Sequence, residues 1–284
     1  MSDPKSWRRW IGREQVVEDV MDPARAQALH ATLGRPGAPP TAGDPLPPLW
    51  HWIYFWSIAP MSALGRDGHL ALGQFLPPID LPRRMWAGSR FTFHRSPILG
   101  TPAEKRSTVA DVALKQGRSG PLAFVTVHHR VSDGGGVCFE EEQDLVFRGA
   151  TELASHRAPA QVAPPEAPAW SRRVTPDPVL LFRFSALTFN GHRIHYDQDY
   201  TRDQEGYPGL VVHGPLLGLL MCQLAMDENK AGRPASYRFR FSQPIFVHQS
   251  FAVAGSPLGG GREARVWVQN DDGELAAEGR LVFA

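Results

Sequence analysis

The sequence predicts an α+β protein whose sheet is antiparallel. Runs in which apolar and polar residues alternate occur in both halves of the chain, as expected for strands with one buried face. One long, mostly apolar segment, 210–226, is interrupted at His213-Gly214-Pro215 and has the length of a buried helix. Consecutive strands with few helices between them favour an antiparallel sheet over the parallel sheet of an α/β fold.

Composition excludes several classes of function. The chain has 284 residues, of which 42% are hydrophobic and 21% charged, as in globular proteins with their own core. A net charge of +1 does not favour nucleic acid or an anionic membrane as partner. Cys138 and Cys222 are far apart and lack metal-ligand spacing. With no signal peptide and no membrane span in view, a soluble, cytoplasmic protein is expected.

The chain is expected to begin with two helices. Apolar residues within 7–21 recur at roughly helical spacing, and Asp22-Pro23 is a cap followed by a proline suited to a first helical turn, which predicts a second helix up to residue 33. Residues 34–48, rich in Pro and Gly, predict a loop. The aromatic run 49–58 fits a buried strand, although its periodicity does not exclude a helix.

Strands dominate the rest of the first half. Residues 65–82 contain three prolines and are predicted to form a loop. The glycine-rich segment 131–136 predicts a hairpin turn between two strands. Alternation predicts strands at 88–93, 105–116, 122–131 and 137–147.

The second half is expected to follow a linker. Residues 151–178 are rich in Pro and Ala, which predicts a stiff connection between an N-terminal half, 1–150, and a C-terminal half, 179–284. A helix is predicted from about residue 214 to 227, because Pro215 is tolerated in a first turn. Strand-like runs follow at 236–247, 263–269 and 274–283.

The segment that leads to this helix resembles a known family. The pattern F-S-A-L-T-x-N-x-H-x-I-H-x-D, at 184–197, and G-Y-P-G-L-V-V-H-G-P, at 206–215, resemble the hydratase segment of MaoC-like hot-dog proteins. These are (R)-type enoyl-CoA hydratases and 3-hydroxyacyl dehydratases. Residues 85–90, 115–120 and 141–144 resemble a double hot-dog subgroup that includes mesaconyl-C4-CoA hydratases and the fungal and mitochondrial thioester dehydratases, with the closest resemblance to mesaconyl-C4-CoA and itaconyl-CoA hydratases. The resemblance, which covers most of the chain, implies two curled sheets, each wrapped around a central helix, and a homodimer.

The resemblance also implies roles for three residues. His195 corresponds to the catalytic histidine, and the amide of Gly214 to the group that holds the thioester oxygen. Asn190 stands where the family has an acidic residue, so it cannot exchange protons but can orient a water molecule. A histidine suits acid–base chemistry because its ordinary pKa is about 6.5. The reaction needs no cofactor, since CoA is part of the substrate. No metal is expected, because no residue outside the loop completes a ligand set for its histidines and aspartates.

Other residues are candidates for substrate binding. His213 precedes the predicted helix and can orient the loop. Arg84 and Arg90 flank Trp86, so the two guanidinium groups are candidates for the CoA phosphates and the indole for stacking on adenine. Arg118 is a further phosphate candidate, together with Arg83 and Lys115. Arg193 or Arg90 is expected to face a distal carboxylate.

The expected function is hydration of an α,β-unsaturated acyl-CoA. By resemblance, the substrate is a branched C5 dicarboxylyl-CoA, either mesaconyl-C4-CoA or itaconyl-CoA, and the product is citramalyl-CoA. One alternative is a general 3-hydroxyacyl thioester dehydratase that acts on fatty-acid chains. Two alternatives belong to other classes: a hot-dog thioesterase that uses Glu205 or Asp203, and an acyl-CoA-binding module without activity.

Overall fold

The computed structural model describes residues 4–117, 120–149, 164, 166–229 and 232–284. The helices in these ranges are α1 (Pro4–Trp7), α2 (Pro23–Thr32), α3 (Pro178–Thr188), α4 (Gln198–Asp203) and α5 (Gly214–Glu228). The strands of the first half are β1 (Glu14–Val20), β2 (Arg83–Phe93), β3 (Pro102–Gly117), β4 (Gly120–Asp133) and β5 (Gly136–Arg148). Those of the second half are β6 (Trp170–Val174), β7 (Pro234–Phe241), β8 (Phe251–Leu258), β9 (Glu263–Asn270) and β10 (Leu275–Phe283).

All ten strands belong to one antiparallel sheet, in the order β1-β3-β4-β5-β2-β7-β10-β9-β8-β6. The halves meet where β2 pairs with β7, with Phe91 opposite Tyr237. Both of these side chains are buried in a core that also contains residues of α5. The predicted α+β class with an antiparallel sheet is therefore confirmed.

Helix α5 is the centre of the second half. Its residues from Leu216 to Leu219 and from Met221 to Ala225 are buried, unlike Leu220, and the helix packs against the strands of that half. A helix that is apolar on all sides is stable only inside a core. This burial is the physical reason for the long apolar segment in the sequence.

Two predictions for the first half were wrong in part. Residues 14–20 form β1 instead of a helix, because their side chains alternate in exposure and their backbone pairs with β3. The run 49–58 contains a short 3₁₀ turn, Trp50–Ile53, and no strand. Pro47 and Pro48 precede that turn, and Leu49 has a left-handed φ of 68°. The first half thus has this turn where a central helix was expected.

The second half also differs from its prediction. Strand β6 lies inside the range predicted as a linker, because its backbone pairs with the edge of β8. Residues 151–163 of that range are outside the described residues. Strand β7 ends at Phe241, and the runs near β9 and β10 are confirmed, whereas β8 was not predicted. Within the described ranges, no helix has the length and apolar character needed to cross a membrane.

Candidate active site

A turn after α3 shapes the loop whose sequence carries the family pattern. Phe189 ends the helix with a left-handed φ of 51°, and the N–H of Asn190 donates to the carbonyl of Ser185 at 2.8 Å. The side-chain oxygen of Asn190 then accepts from the N–H of His192 at 3.0 Å. Such an Asx turn replaces a backbone hydrogen bond with a side-chain one. Asn190 therefore fixes the backbone that leads to His195.

His195 is buried in a defined protonation state. Its Nδ1 lies 2.7 Å from the carbonyl oxygen of Val211. Because a carbonyl oxygen can only accept, Nδ1 carries the hydrogen and Nε2 of the neutral ring keeps its lone pair. Burial lowers the pKa of His195 to about 4, although the hydrogen bond to Val211 acts in the opposite direction. At neutral pH the ring is a neutral base.

His213 covers one face of this base at the start of α5. The two imidazole rings are stacked with centroids 3.6 Å apart, and Nε2 of His213 is 2.8 Å from the hydroxyl of Ser185. Burial holds the pKa of His213 well below its ordinary value. Its Nδ1 has no hydrogen-bond partner among the described residues. The histidine that was predicted to orient the loop thus lies directly against His195.

Gly214 is the first residue of α5. Its N–H makes no hydrogen bond within the described part of the chain, as expected for the first amides of a helix. A Cβ atom at this position would lie 2.9 Å from the ring of Phe241. Glycine therefore allows the aromatic ring to pack at the helix start while the amide remains available to a negatively charged oxygen.

The first half supplies further polar groups. The ring of His69 lies 4.2 Å from that of His192, whose ring in turn is 5.4 Å from that of His195. The N–H of Arg193 donates to the carbonyl of Asp67 at 2.9 Å. A loop between the 3₁₀ turn and β2 is thereby attached to the histidine loop.

The charges in this group affect each other. Burial is the main cause that lowers the pKa of His69 to about 4; the positive charge of Arg84 acts in the same direction, and the hydrogen bond to Asp67 opposes both. Burial alone would raise the pKa of Asp67, but hydrogen bonds from His69 and the charge of Arg84 bring it to about 2. The pKa of His192 is also lowered, by burial first and then by the neighbouring basic groups His69, His195 and Arg84, beside which a further positive charge is unfavourable. Asp67 is therefore an anion at neutral pH and the histidines are neutral.

The remaining predicted residues differ in their surroundings. Arg193 is bound to Asp197 at 2.7 Å, and its guanidinium lies over the ring of Tyr200. Arg90 is exposed and pairs with Glu142 and Asp144, so neither arginine is free to face a substrate carboxylate as expected. Arg118 lies outside the described residues.

Trp86 packs inside the protein instead of presenting a face to adenine. Its ring meets that of Trp52 edge-on at 5.3 Å, and its N–H donates to Gly88 and Ser89.

The two carboxylates named as thioesterase candidates lie away from the histidine site. Glu205 accepts from the hydroxyl of Tyr200 at 3.1 Å, and Asp203 is exposed. Neither carboxylate is placed beside His195.

One group of side chains has the composition of a metal site. Ligand atoms of Asp67, His69 and His192 lie within 4.8 Å of one another. Tetrahedral zinc sites with bonds of 2.0–2.1 Å bring ligand atoms to about 3.4 Å apart. The charge of Arg84 acts on the same groups. That charge makes the cluster a less favourable place for a cation than for an anion.

The sequence profile of the hydroxyacyl-thioester dehydratase type 2 family matches residues 49–247. The chain belongs to this family. Membership of this family is consistent with a site in which the buried, neutral His195 lies near the start of α5 at Gly214. The matched range also includes the loop with Asp67 and His69, which was not predicted to be part of a site.

Individual relatives of this dehydratase-family protein are similar over most of its length. A mesaconyl-C(4)-CoA hydratase from Chloroflexus aurantiacus is 48% identical over 254 residues, which are 89% of this chain and 90% of that protein. A MaoC-like dehydratase from Phytophthora capsici superposes with a TM-score of 0.71 at 14% identity, with 99% of each chain covered. A Mycobacterium tuberculosis protein described as a double hot-dog fold superposes with a TM-score of 0.55 at 14% identity, with 97% of each chain covered. The fold is a double hot-dog, and the protein is an enzyme of the hydro-lyase class.

Three residues of this site were not predicted from the sequence. Asp67 and His69 lie in a loop without periodicity, and Ser185 is an ordinary helical serine until its contact with His213 is seen. Asp67 and His69 could have been noticed in the sequence because they flank Gly68 as two polar residues inside a mostly apolar, Pro-rich loop. Ser185 was part of the family pattern but was given no role.

Proposed function

We propose that the protein hydrates an α,β-unsaturated acyl-CoA thioester whose β carbon carries a carboxylate, with mesaconyl-C4-CoA as the substrate and citramalyl-CoA as the product. The observation that carries the reaction is the state of His195, which is neutral, buried and bonded through Nδ1 so that Nε2 is free. The 48% identical mesaconyl-C(4)-CoA hydratase supports the substrate class.

In the proposed reaction, Nε2 of His195 takes a proton from water while the water oxygen bonds to the β carbon. The π electrons move toward the thioester, whose oxygen becomes an enolate oxygen. The N–H of Gly214, at the positive end of α5, donates to that oxygen. His195 then returns the proton to the α carbon, so one hydrogen and one hydroxyl have been added and the base is regenerated.

The neighbours of His195 support this cycle. The carbonyl of Val211 accepts from Nδ1 throughout, which stabilises the imidazolium that forms for the short time between the two proton transfers. The ring of His213 excludes water from one face of His195. The amide nitrogen of Asn190 is available to hold the attacking water, because the turn uses only its oxygen.

The test is the loss of enoyl-thioester absorbance with purified protein. The panel is mesaconyl-C4-CoA, itaconyl-CoA, crotonyl-CoA and longer straight-chain enoyl-CoAs, and a thiol reagent detects any released CoA. We expect hydration of the mesaconyl substrate without CoA release. Faster turnover of long straight chains would indicate a fatty-acid dehydratase instead, and CoA release would indicate a thioesterase.

The His195→Asn variant tests the assignment of the base. An asparagine amide can still donate to the carbonyl of Val211, so the fold is retained while the base is lost. We expect kcat to fall by about 10²–10⁴-fold, which is the usual contribution of a general acid–base group. The exposed His248→Asn is the matched control. Turnover near that of the control in the His195 variant would contradict the mechanism.

A further inference from the structure

We infer that Arg84 is the group that binds the carboxylate on the β carbon of the substrate. This inference rests on the substrate class proposed above. Arg84 was expected to bind the CoA phosphates; here it is assigned instead to a subsite for the substituent of the reacting carbon. That subsite then belongs to the N-terminal half, whereas His195 belongs to the C-terminal half.

The position of Arg84 on β2 points its side chain to the interior. Successive side chains of a strand face opposite sides, so Arg84 and Trp86 share one face. Trp86 meets Trp52, which in turn meets Phe239 of β7 in the core between the sheet and the helices. Arg84 therefore lies on the face of β2 that packs against the core, and its charge acts on Asp67, His69 and His192.

The guanidinium of Arg84 is unpaired. Among the described residues, it makes no hydrogen bond and no ion pair within 4.0 Å. Burial lowers its pKa, and the charge of Asp67 compensates in part. Because the side chain is only partly buried, its donors remain open to a ligand, and the planar guanidinium can bind a carboxylate through two hydrogen bonds.

Asp67 makes no ion pair with Arg84 within 4.0 Å, and each of its oxygens accepts a hydrogen bond from His69. The N–H of His69 donates to one oxygen at 3.1 Å and Nδ1 donates to the other at 3.1 Å. Asp67 thus balances the charge of Arg84 at a distance and leaves its donors available. A carboxylate offers two acceptor oxygens that match the planar guanidinium fork.

The chemistry of the substrate places its carboxylate in this region. In mesaconyl-C4-CoA the thioester is on C4, so the β carbon carries both a methyl group and the free carboxylate. When the β carbon receives water activated by His195, its carboxylate lies one bond further on. The ring of His192 lies next to those of both His195 and His69, and the charge of Arg84 lowers the pKa of His192 and of His69. Arg193, which is bound by Asp197, does not compete for this role.

The experiment compares two pairs of ligands that are matched except at one substituent. Mesaconyl-C4-CoA and 3-methylcrotonyl-CoA differ only by carboxylate against methyl, and so do their saturated analogues, methylsuccinyl-C4-CoA and isovaleryl-CoA. The variants are Arg84→Gln and Arg84→Lys, with Arg240→Gln as control because Arg240 is an exposed strand arginine on the neighbouring β7. kcat/KM is measured for the unsaturated pair and the dissociation constant, by calorimetry, for the saturated pair.

We expect Arg84→Gln to lower kcat/KM for mesaconyl-C4-CoA by about 30- to 1,000-fold, the range for truncating one partner of a buried charge pair. Values for 3-methylcrotonyl-CoA should stay within about threefold of wild type, and Arg84→Lys should recover part of the loss. Binding of methylsuccinyl-C4-CoA should weaken selectively as well.

Equal losses for both members of a pair would overturn the inference, because Arg84 would then have a structural role. The absence of any loss would also overturn it. The binding measurement separates this result from the reaction. If wild type hydrates none of the enoyl-CoAs yet prefers methylsuccinyl-C4-CoA through Arg84, the proposed function fails and the carboxylate subsite remains.

Discussion

Asn190 stands at a position where the related enzymes are expected to carry an acid, and its neutrality has a physical reason in this site. Its oxygen holds the turn through the N–H of His192, whose ring lies against those of His69 and His195. A carboxylate here would lie close to the carboxylate of the proposed substrate. Two like charges at about 5 Å in a partly buried site repel each other by about 3 kcal/mol.

Replacement of this residue by an acid should therefore change specificity. We expect Asn190→Asp to lower the ratio of kcat/KM for mesaconyl-C4-CoA to that for 3-methylcrotonyl-CoA by about 10- to 100-fold, because only the first substrate is repelled. Asn190→Ser is the control, since serine also caps a turn but carries no charge. An equal change of the ratio in both variants would show that the turn matters and the charge does not.

At the scale of single elements, the loop around Gly68 connects the halves at the site. Gly68 has a φ of +86°, and a Cβ atom there would lie 1.9 Å from the carbonyl oxygen of Gly191. Nearby, the ring of Trp56 stacks on that of Phe189 at 5.0 Å and its N–H donates to Leu187. These contacts hold the histidine loop against the first half.

Substitution of that glycine should separate backbone strain from loop contact. Gly12 has nearly the same φ, +84°, but a Cβ atom at Gly12 would have no neighbour within 4 Å. Gly12→Ala therefore carries only the cost of the strained φ, about 1 kcal/mol. We expect Gly68→Ala to cost more stability in urea unfolding and also to lower kcat by about tenfold or more, because the histidine loop must shift. Equal effects of the two alanines on stability and turnover would contradict this contact.

The same scale shows what could be predicted from sequence. Helices α2 and α5 carry local signals, Asp22-Pro23 and Gly214-Pro215, and both were predicted close to their observed ends. Strand β1 was not, because a short edge strand with apolar residues at several spacings fits more than one period. Its identity as a strand depends on pairing with β3, which lies far along the chain.

At the scale of the whole molecule, the site could be predicted only as far as it is local. Asn190, His195 and Gly214 lie in one stretch of sequence with a recognisable pattern. Asp67 and Arg84 reach that stretch because β2 pairs with β7 and thereby fixes one half against the other. A one-dimensional pattern contains no register between distant strands, so the proposed carboxylate subsite rests on the structure alone.

Histidines inside the fold also connect it to pH: the side chain of His195 is buried, and those of His69 and His129 are partly buried. Burial is the main cause that lowers the pKa of His69, His129 and His195 to about 4. In an unfolded chain, a histidine has a pKa of about 6.5. Between these values the unfolded state binds protons that the folded state does not, so the free energy of unfolding falls as the pH decreases from about 6.5 to about 4.

We therefore expect a protein that loses stability well above the pH at which carboxylates are protonated. By pH 5 each of the three histidines should cost about 2 kcal/mol relative to neutral pH, an order-of-magnitude figure from proton linkage. Urea midpoints followed by tryptophan fluorescence between about pH 7.5 and 4.5 measure this loss. His129→Gln should make the slope shallower, because it removes one of these rings; among the described residues the ring is hydrogen-bonded to Ser107 and Gln143. The same substitution at the exposed His248 is the control. If the urea midpoint stays constant from about pH 7.5 down to about pH 5, the histidine rings accept protons in the folded state. The neutral form assigned to His195 would then be wrong as well.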